Sequence, residues 1–157
     1  MAVTRSALEY AKVGTRDADA EDFESELQVA VATYTHADGA ETDLTLNVLR
    51  LPAGRIRVYS YLSKLWSSAM VATANLSLGY AEYTNEEGTI VVADINAFID
   101  QADAGSALDQ VWTLPSALGE YTEFNSQDGI TIIVTIDTED IEDTDTINVV
   151  CVYSKVT

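Results

Sequence analysis

The chain has one cysteine, one histidine and, from Leu65 through Ser154, no lysine or arginine at all. Each scarcity closes off a class of function. With Cys151 alone, no disulfide forms within the chain, and its setting in Asn148-Val149-Val150-Cys151-Val152-Tyr153 reads as a strand carrying a buried, inert thiol. The single histidine, His36, lies in Thr35-His36-Ala37-Asp38-Gly39, which reads as a hairpin loop with a solvent-facing imidazole. One histidine and one cysteine assemble neither a zinc site nor a Cys/His dyad. There is no Gly-x-Ser-x-Gly elbow, no glycine-rich phosphate loop, and no Ser-His-Asp order beyond what His36 alone could supply. The expectation is a chain that is not an enzyme and that uses no cofactor and no metal.

Long apolar runs are missing too. None approaches the roughly 18 residues of a membrane-spanning helix. The N-terminal stretch Met1 to Tyr10 has no apolar core of a secretory signal, which leads to the expectation of a protein made and assembled in a cytoplasm.

What is present is acid. Twenty-six Asp and Glu against eight Lys and Arg give a net charge of −18, and sixteen of the acids fall between Leu65 and Ser154. Such a surface repels phosphate backbones and anionic lipid, so neither nucleic acid nor membrane is an expected partner. It keeps the protein soluble, guards strand edges, and favours cationic partners. A length of 157 residues with 47% hydrophobic and 22% charged residues fits one globular domain.

Residues 1–26 differ from the rest. Three basic residues up to Arg16 give way to Asp17, Asp19, Glu21, Asp22, Glu24 and Glu26, with few β-branched residues. This reads as an N-terminal arm ordered by contact with a partner or a neighbouring subunit. Residues 27–157 read as one β-sandwich domain. From Leu27 the pattern has period two: Gln28 to Thr35 alternates polar or small residues with Val, and Thr42 to Leu49 places Leu44, Leu46 and Val48 on one face. After Pro52-Ala53-Gly54, Ile56, Val58 and Leu62 share one face, and Arg55, Arg57, Tyr59 and Tyr61 the other. Ala74 to Tyr80 alternates again. Between 94 and 110 the pattern changes: Asp94 is placed as an N-cap, and Ile95, Phe98, Ile99 and Ala102 fall at helical spacing, predicting a short helical insert. Gly129 to Asp137 and Thr146 to Ser154 are the most apolar strands, expected at the centre and joined by an acidic hairpin loop. The sum is a mainly β protein, an antiparallel β-sandwich or jelly-roll-like fold with a short helical insert and an N-terminal arm.

Two clusters invite a functional reading. Asp137, Glu139, Asp140, Glu142, Asp143 and Asp145 put six carboxylates in nine residues, but without the glycine and terminal glutamate of a calcium loop they read as a solvated tip or a patch for a cationic partner. Arg50, Arg55 and Arg57 flank Pro52-Ala53-Gly54 in an otherwise anionic chain, with Tyr59, Tyr61, Trp66, Tyr80 and Tyr83 nearby. Arg, Tyr and Trp are the residues that interface centres favour. Arg50, Arg55, Arg57, Tyr59, Tyr61 and Trp66 are therefore the candidate partner interface. The alternatives are arginines that merely neutralise neighbouring carboxylates and aromatics that stack on sugar.

From Leu51 to Ala107 the chain reads Leu-Pro-Ala-Gly-Arg-Ile-Arg-Val, then Leu-Ser-Leu-Gly-Tyr, then an acidic turn and Ile-Asn-Ala-Phe-Ile-Asp-Gln-Ala-Asp-Ala-Gly-Ser-Ala. This stretch, about the middle third, resembles the small β-sandwich virion proteins of tailed bacteriophages, especially those that decorate or cement the capsid shell. The resemblance implies a viral structural protein on the outside of the capsid, bridging major capsid protein subunits, often as a homo-oligomer. It transfers no site residue. A head–tail adaptor or tail protein, and a carbohydrate-binding surface module, are the alternative readings.

Overall fold

A computed structural model describes residues 26–37, 39–40, 44–113, 121–137 and 141–156. The expected N-terminal arm, residues 1–26, lies outside them except for Glu26. Among the described residues twelve strands follow one another: β1 Leu27–Thr35, β2 Thr45–Leu51, β3 Gly54–Val58, β4 Lys64–Ser67, β5 Asn75–Tyr80, β6 Tyr83–Thr84, β7 Ile90–Val91, β8 Asp94–Asp103, β9 Leu108–Val111, β10 Thr122–Ser126, β11 Ile130–Asp137 and β12 Thr146–Lys155.

Two antiparallel sheets form the sandwich. In one, β12 pairs with β1 along one edge; its other edge is shared by β4, beside Ile147–Val150, and β3, beside Tyr153–Lys155. β9 continues beyond β4, and β10 beyond β3. The other sheet has the order β2-β11-β5-β8. Because β3 and β4 run in line along β12, they are one strand position interrupted by a 3-10 turn at Ser60–Leu62. Counted that way, eight positions divide between the sheets in the order 1-8-3-6 and 2-7-4-5. That is the jelly roll, two four-stranded sheets made by folding one long hairpin twice. β10 and the β6–β7 hairpin are additions at the side.

The interruption is closed by one side chain. Val152 loses its backbone partner where β3 gives way to β4, and its N–H donates instead to Ser63 Oγ at 2.9 Å. The same hydroxyl donates to the Tyr59 carbonyl at 2.8 Å. Tyr59 N–H returns a bond to the Val152 carbonyl at 2.9 Å.

The core lies between the sheets. Ile130, Ile132, Val134 and Ile136 of β11 are fully buried against Ile56, Val58, Leu65, Val149 and Cys151 of the other sheet. Each such side chain contributes about 1.5–3 kcal/mol relative to its exposed state. Phe98 stacks on Trp112 at 4.7 Å and meets Phe124 at 6.3 Å, while Tyr80 packs edge-on to Phe124 at 5.1 Å. Burial pushes the Cys151 thiol up to about 12, so the thiolate is suppressed.

Several expectations are corrected. The predicted helical insert near 94–110 is instead strands β8 and β9. β8 bulges twice against β5, with register shifts between Leu76 and Leu78 and between Leu78 and Tyr80. Extra residues in a bulge break period two, so Phe98, Ile99 and Ala102 come inward at spacings of one and three, as they would on a helix. Gln101 takes φ 47 in the bulge, and its N–H donates to Ser77 Oγ at 3.2 Å. Leu62 does not share the buried face of Ile56 and Val58; it sits on the 3-10 turn, 42% exposed. β11 and β12 are central, but in different sheets, so the acidic segment between them crosses the sandwich rather than closing a hairpin. His36 is buried rather than solvent-facing. Its Nε2 donates to the Gly39 carbonyl, its Nδ1 pairs with the Tyr34 hydroxyl at 2.9 Å, and its backbone bonds to Thr144 and Asp145.

Candidate functional site

Residues directly opposite in an antiparallel ladder share a face of the sheet. Arg57 stands opposite Glu123 and Ser154, Trp66 opposite Asn148 and Asp109, and Lys64 opposite Val150 and Val111. All of these lie on the outer face of the six-stranded sheet, because the alternate residues Ile56, Leu65 and Val149 fill the core. Tyr59 joins them through its hydroxyl, 3.1 Å from Ser154 Oγ, and Tyr61 packs edge-on to Tyr59 at 6.2 Å.

Five of the six nominated residues thus share one face, with Trp66 six β12 residues away from Arg57, and one does not. Arg50 sits on β2 in the other sheet, where its guanidinium donates to the Asp128 carbonyl at 2.6 Å and to Thr131 Oγ1 at 3.4 Å. Tyr80 and Tyr83, read from sequence as surface aromatics, belong to the aromatic cluster around Phe124.

Pairing with β10 adds two residues that sequence reading did not nominate. Glu123 accepts from Arg55 Nε at 2.6 Å and from Arg57 Nε at 3.1 Å. The Arg55 hydrogen bond above all, with help from Arg57 and against some desolvation, holds the Glu123 carboxyl below the usual carboxylate range. Tyr121, just before β10, packs against Tyr59 at 6.0 Å and lies under the Arg57 guanidinium, 4.7 Å from ring centre to Cζ. Lys64 sits 5.4 Å over the Trp66 ring and pairs with Asp109 at 3.1 Å. Two arginines thus converge on the Glu123 carboxylate in the β3–β10 half of the face.

The β1–β12 half is different. Leu27, Val29, Val31 and Thr33 face outward opposite Ser154, Val152, Val150 and Asn148, and none of the eight is charged. The valines of β1, the apolar side of its alternation, therefore point to the surface, while Ala30, Ala32 and Tyr34 face the core side.

Two carboxylates of the acidic segment have partners within the protein. Asp145 accepts from Ser68 Oγ and from the Glu142 N–H, and Asp143 from the Gly39 N–H. Among the described residues no three His, Cys, Asp or Glu side chains converge as a metal site.

The fold is similar over the whole chain to that of a protein in the cyanophage Pam1 capsid asymmetric unit: TM-score 0.52, 12% identity, 100% of each chain covered. The chain has the fold of a phage capsid component. A chain from the capsid of Helicobacter pylori bacteriophage KHP30 is matched at TM-score 0.38 and 15% identity, over 81% of this chain and 86% of that one. A chain of infectious bursal disease virus, strain Gx, is matched at TM-score 0.39 and 12% identity, over 85% of this chain but 38% of its own length. No family model and no curated protein matches the sequence.

Proposed function

We propose that the chain is a non-enzymatic structural protein of a phage virion, a decoration or cement protein that binds the outside of the capsid shell and stabilises it. The observation that carries this reading is the likeness of fold, over the full length of both chains, to a protein of a phage capsid. The outer face of the six-stranded sheet is the contact. The Arg55 side chain, 47% exposed, reaches the surface there beside Arg57, with Tyr59, Tyr61 and Tyr121 adjoining and Trp66 farther along the same face, the residue types that interface centres favour. The protein resides on the capsid surface, assembled in the host cytoplasm, and several copies act together: weak contacts joined on one shell gain orders of magnitude in avidity.

The aromatics favour a protein partner over a sugar. Stacking needs an open ring face, whereas Arg57 covers Tyr121 and Lys64 lies over Trp66. The test is co-sedimentation of the purified chain with undecorated shells of the phage that carries it. Wild type should pellet with shells to saturation, R50E likewise, and R55E/R57E should stay in the supernatant. Failure of the wild type to pellet would overturn the reading.

A further inference from the structure

Strand β1 forms an edge of the six-stranded sheet: among the described residues β12 is its sole ladder partner. Soluble proteins protect such an edge with charge, proline, a bulge or shortness. β1 has none of these. It is nine residues long, reads Leu-Gln-Val-Ala-Val-Ala-Thr-Tyr-Thr, and pairs with β12 without a register shift. Its outward side chains Leu27, Val29 and Val31 are 57%, 61% and 63% exposed.

We infer that β1 is the contact between two copies of this chain, pairing antiparallel with itself across a two-fold axis at Val29. Charge selects a second copy. Two chains of net charge −18 repel over most of their surfaces, but no outward position of β1 or of the adjoining stretch of β12 carries a charge. Two copies meet there without setting carboxylate against carboxylate.

The sequence of β1 is also its own complement. An axis at Val29 puts Val29 opposite Val29, Leu27 opposite Val31 in both halves, and Gln28 opposite Ala30. Glu26, the nearest described acid, falls opposite Ala32. Every exposed apolar side chain then meets another, and the self-complementary patch is what a two-fold interface demands. The contact is one strand edge and three large side chains per copy, short of the roughly 1,200 Å² of a stable interface. The dimer is therefore reversible in solution and firm only where copies are held close together. The inference does not depend on shell binding.

Cysteine cross-linking of the full chain tests it. Directly opposed residues in an antiparallel ladder have Cα atoms about 4.5–5.5 Å apart, within the roughly 4.4–6.8 Å of a disulfide. Two copies of residue 31 would be about 14 Å apart, at ~3.4 Å per residue. Native Cys151 is buried and does not compete. Under mild oxidation V29C should give a disulfide-linked dimer and V31C should not, while an L27C and V31C mixture should link. In sedimentation equilibrium, wild type should show a reversible dimer and V29E a monomer, both with the same circular dichroism. Equal cross-linking of V29C and V31C, no V29C dimer, a wild-type monomer at millimolar concentration, or a V29E dimer as tight as wild type would each overturn the inference.

Discussion

Replacing Gly79 by alanine separates the bulged strand from the helix that the sequence suggests for residues 94–103. Gly79 lies in β5 where the start of β8 closes over it, so a Cβ there would overlap the Asp94 carbonyl oxygen and stand 2.7 Å from that of Ile95. Both are backbone atoms and cannot rotate aside. β8 has to retreat, loosening Phe98 and Ile99, which are fully buried. Forced overpacking costs about 1–3 kcal/mol, and the cost here belongs near the upper end because backbone must move. About 3 kcal/mol lowers the melting temperature by about 6–12 °C in a domain of this size. Urea titration and a thermal melt read it directly. With a helix laid over the end of the sandwich, Gly79 would be an ordinary strand glycine, and alanine would be neutral or stabilise by about 0.5 kcal/mol. A G79A protein as stable as wild type would refute the close approach of β8.

Ser63→Ala removes the acceptor of the part-buried Val152 N–H and the donor to Tyr59, and should cost about 2 kcal/mol in urea unfolding; a neutral result would mean that the 3-10 interruption is held some other way. Glu123 titrates below its unfolded-state value of 4.5 because Arg55 and Arg57 hold it charged. Its contribution is therefore complete above about pH 4.5 and is lost as pH falls through the depressed folded value. Urea midpoints of E123Q should fall less steeply below pH 4.5 than those of wild type, and identical slopes would contradict the pairing.

Much of this fold is legible in the residues because sheets with one buried face impose strict alternation. Ile56 and Val58 inward with Arg55 and Arg57 outward followed from that rule alone, as did the partition of Leu46 and Val48. Alternation fails where the backbone departs from a regular ladder. The two bulges of β8 imitate helical spacing, and the 3-10 turn after Tyr59 carries Leu62 out of phase. Alternation also gives two faces without saying which is inside. In β1 the small side, Ala30 and Ala32, packs inward and the valines face outward.

The candidate site was half legible for a related reason. Arg55, Arg57, Tyr59 and Tyr61 are neighbours in sequence, so their common face could be read locally. Glu123 reaches Arg57 across a separation of 66 residues, and no local signal carries that register. Arg50 stands close in sequence to Arg55, yet Pro52-Ala53-Gly54 sends the chain from one sheet to the other, so proximity in sequence became separation in space. His36 reads as a loop residue in sequence because its partners, Thr144 and Asp145, come from the far end of the chain.

A reconstruction by electron cryo-microscopy of shells saturated with the purified chain tests the central claim most directly. The account predicts one jelly roll per site, seated on the outer surface of the shell, with β3, β10 and the 3-10 turn against the capsid subunits and Arg55 and Arg57 within reach of their carboxylates. Density in which the β2-β11-β5-β8 sheet faces the shell, or shells bare of added density at saturating protein, would contradict it.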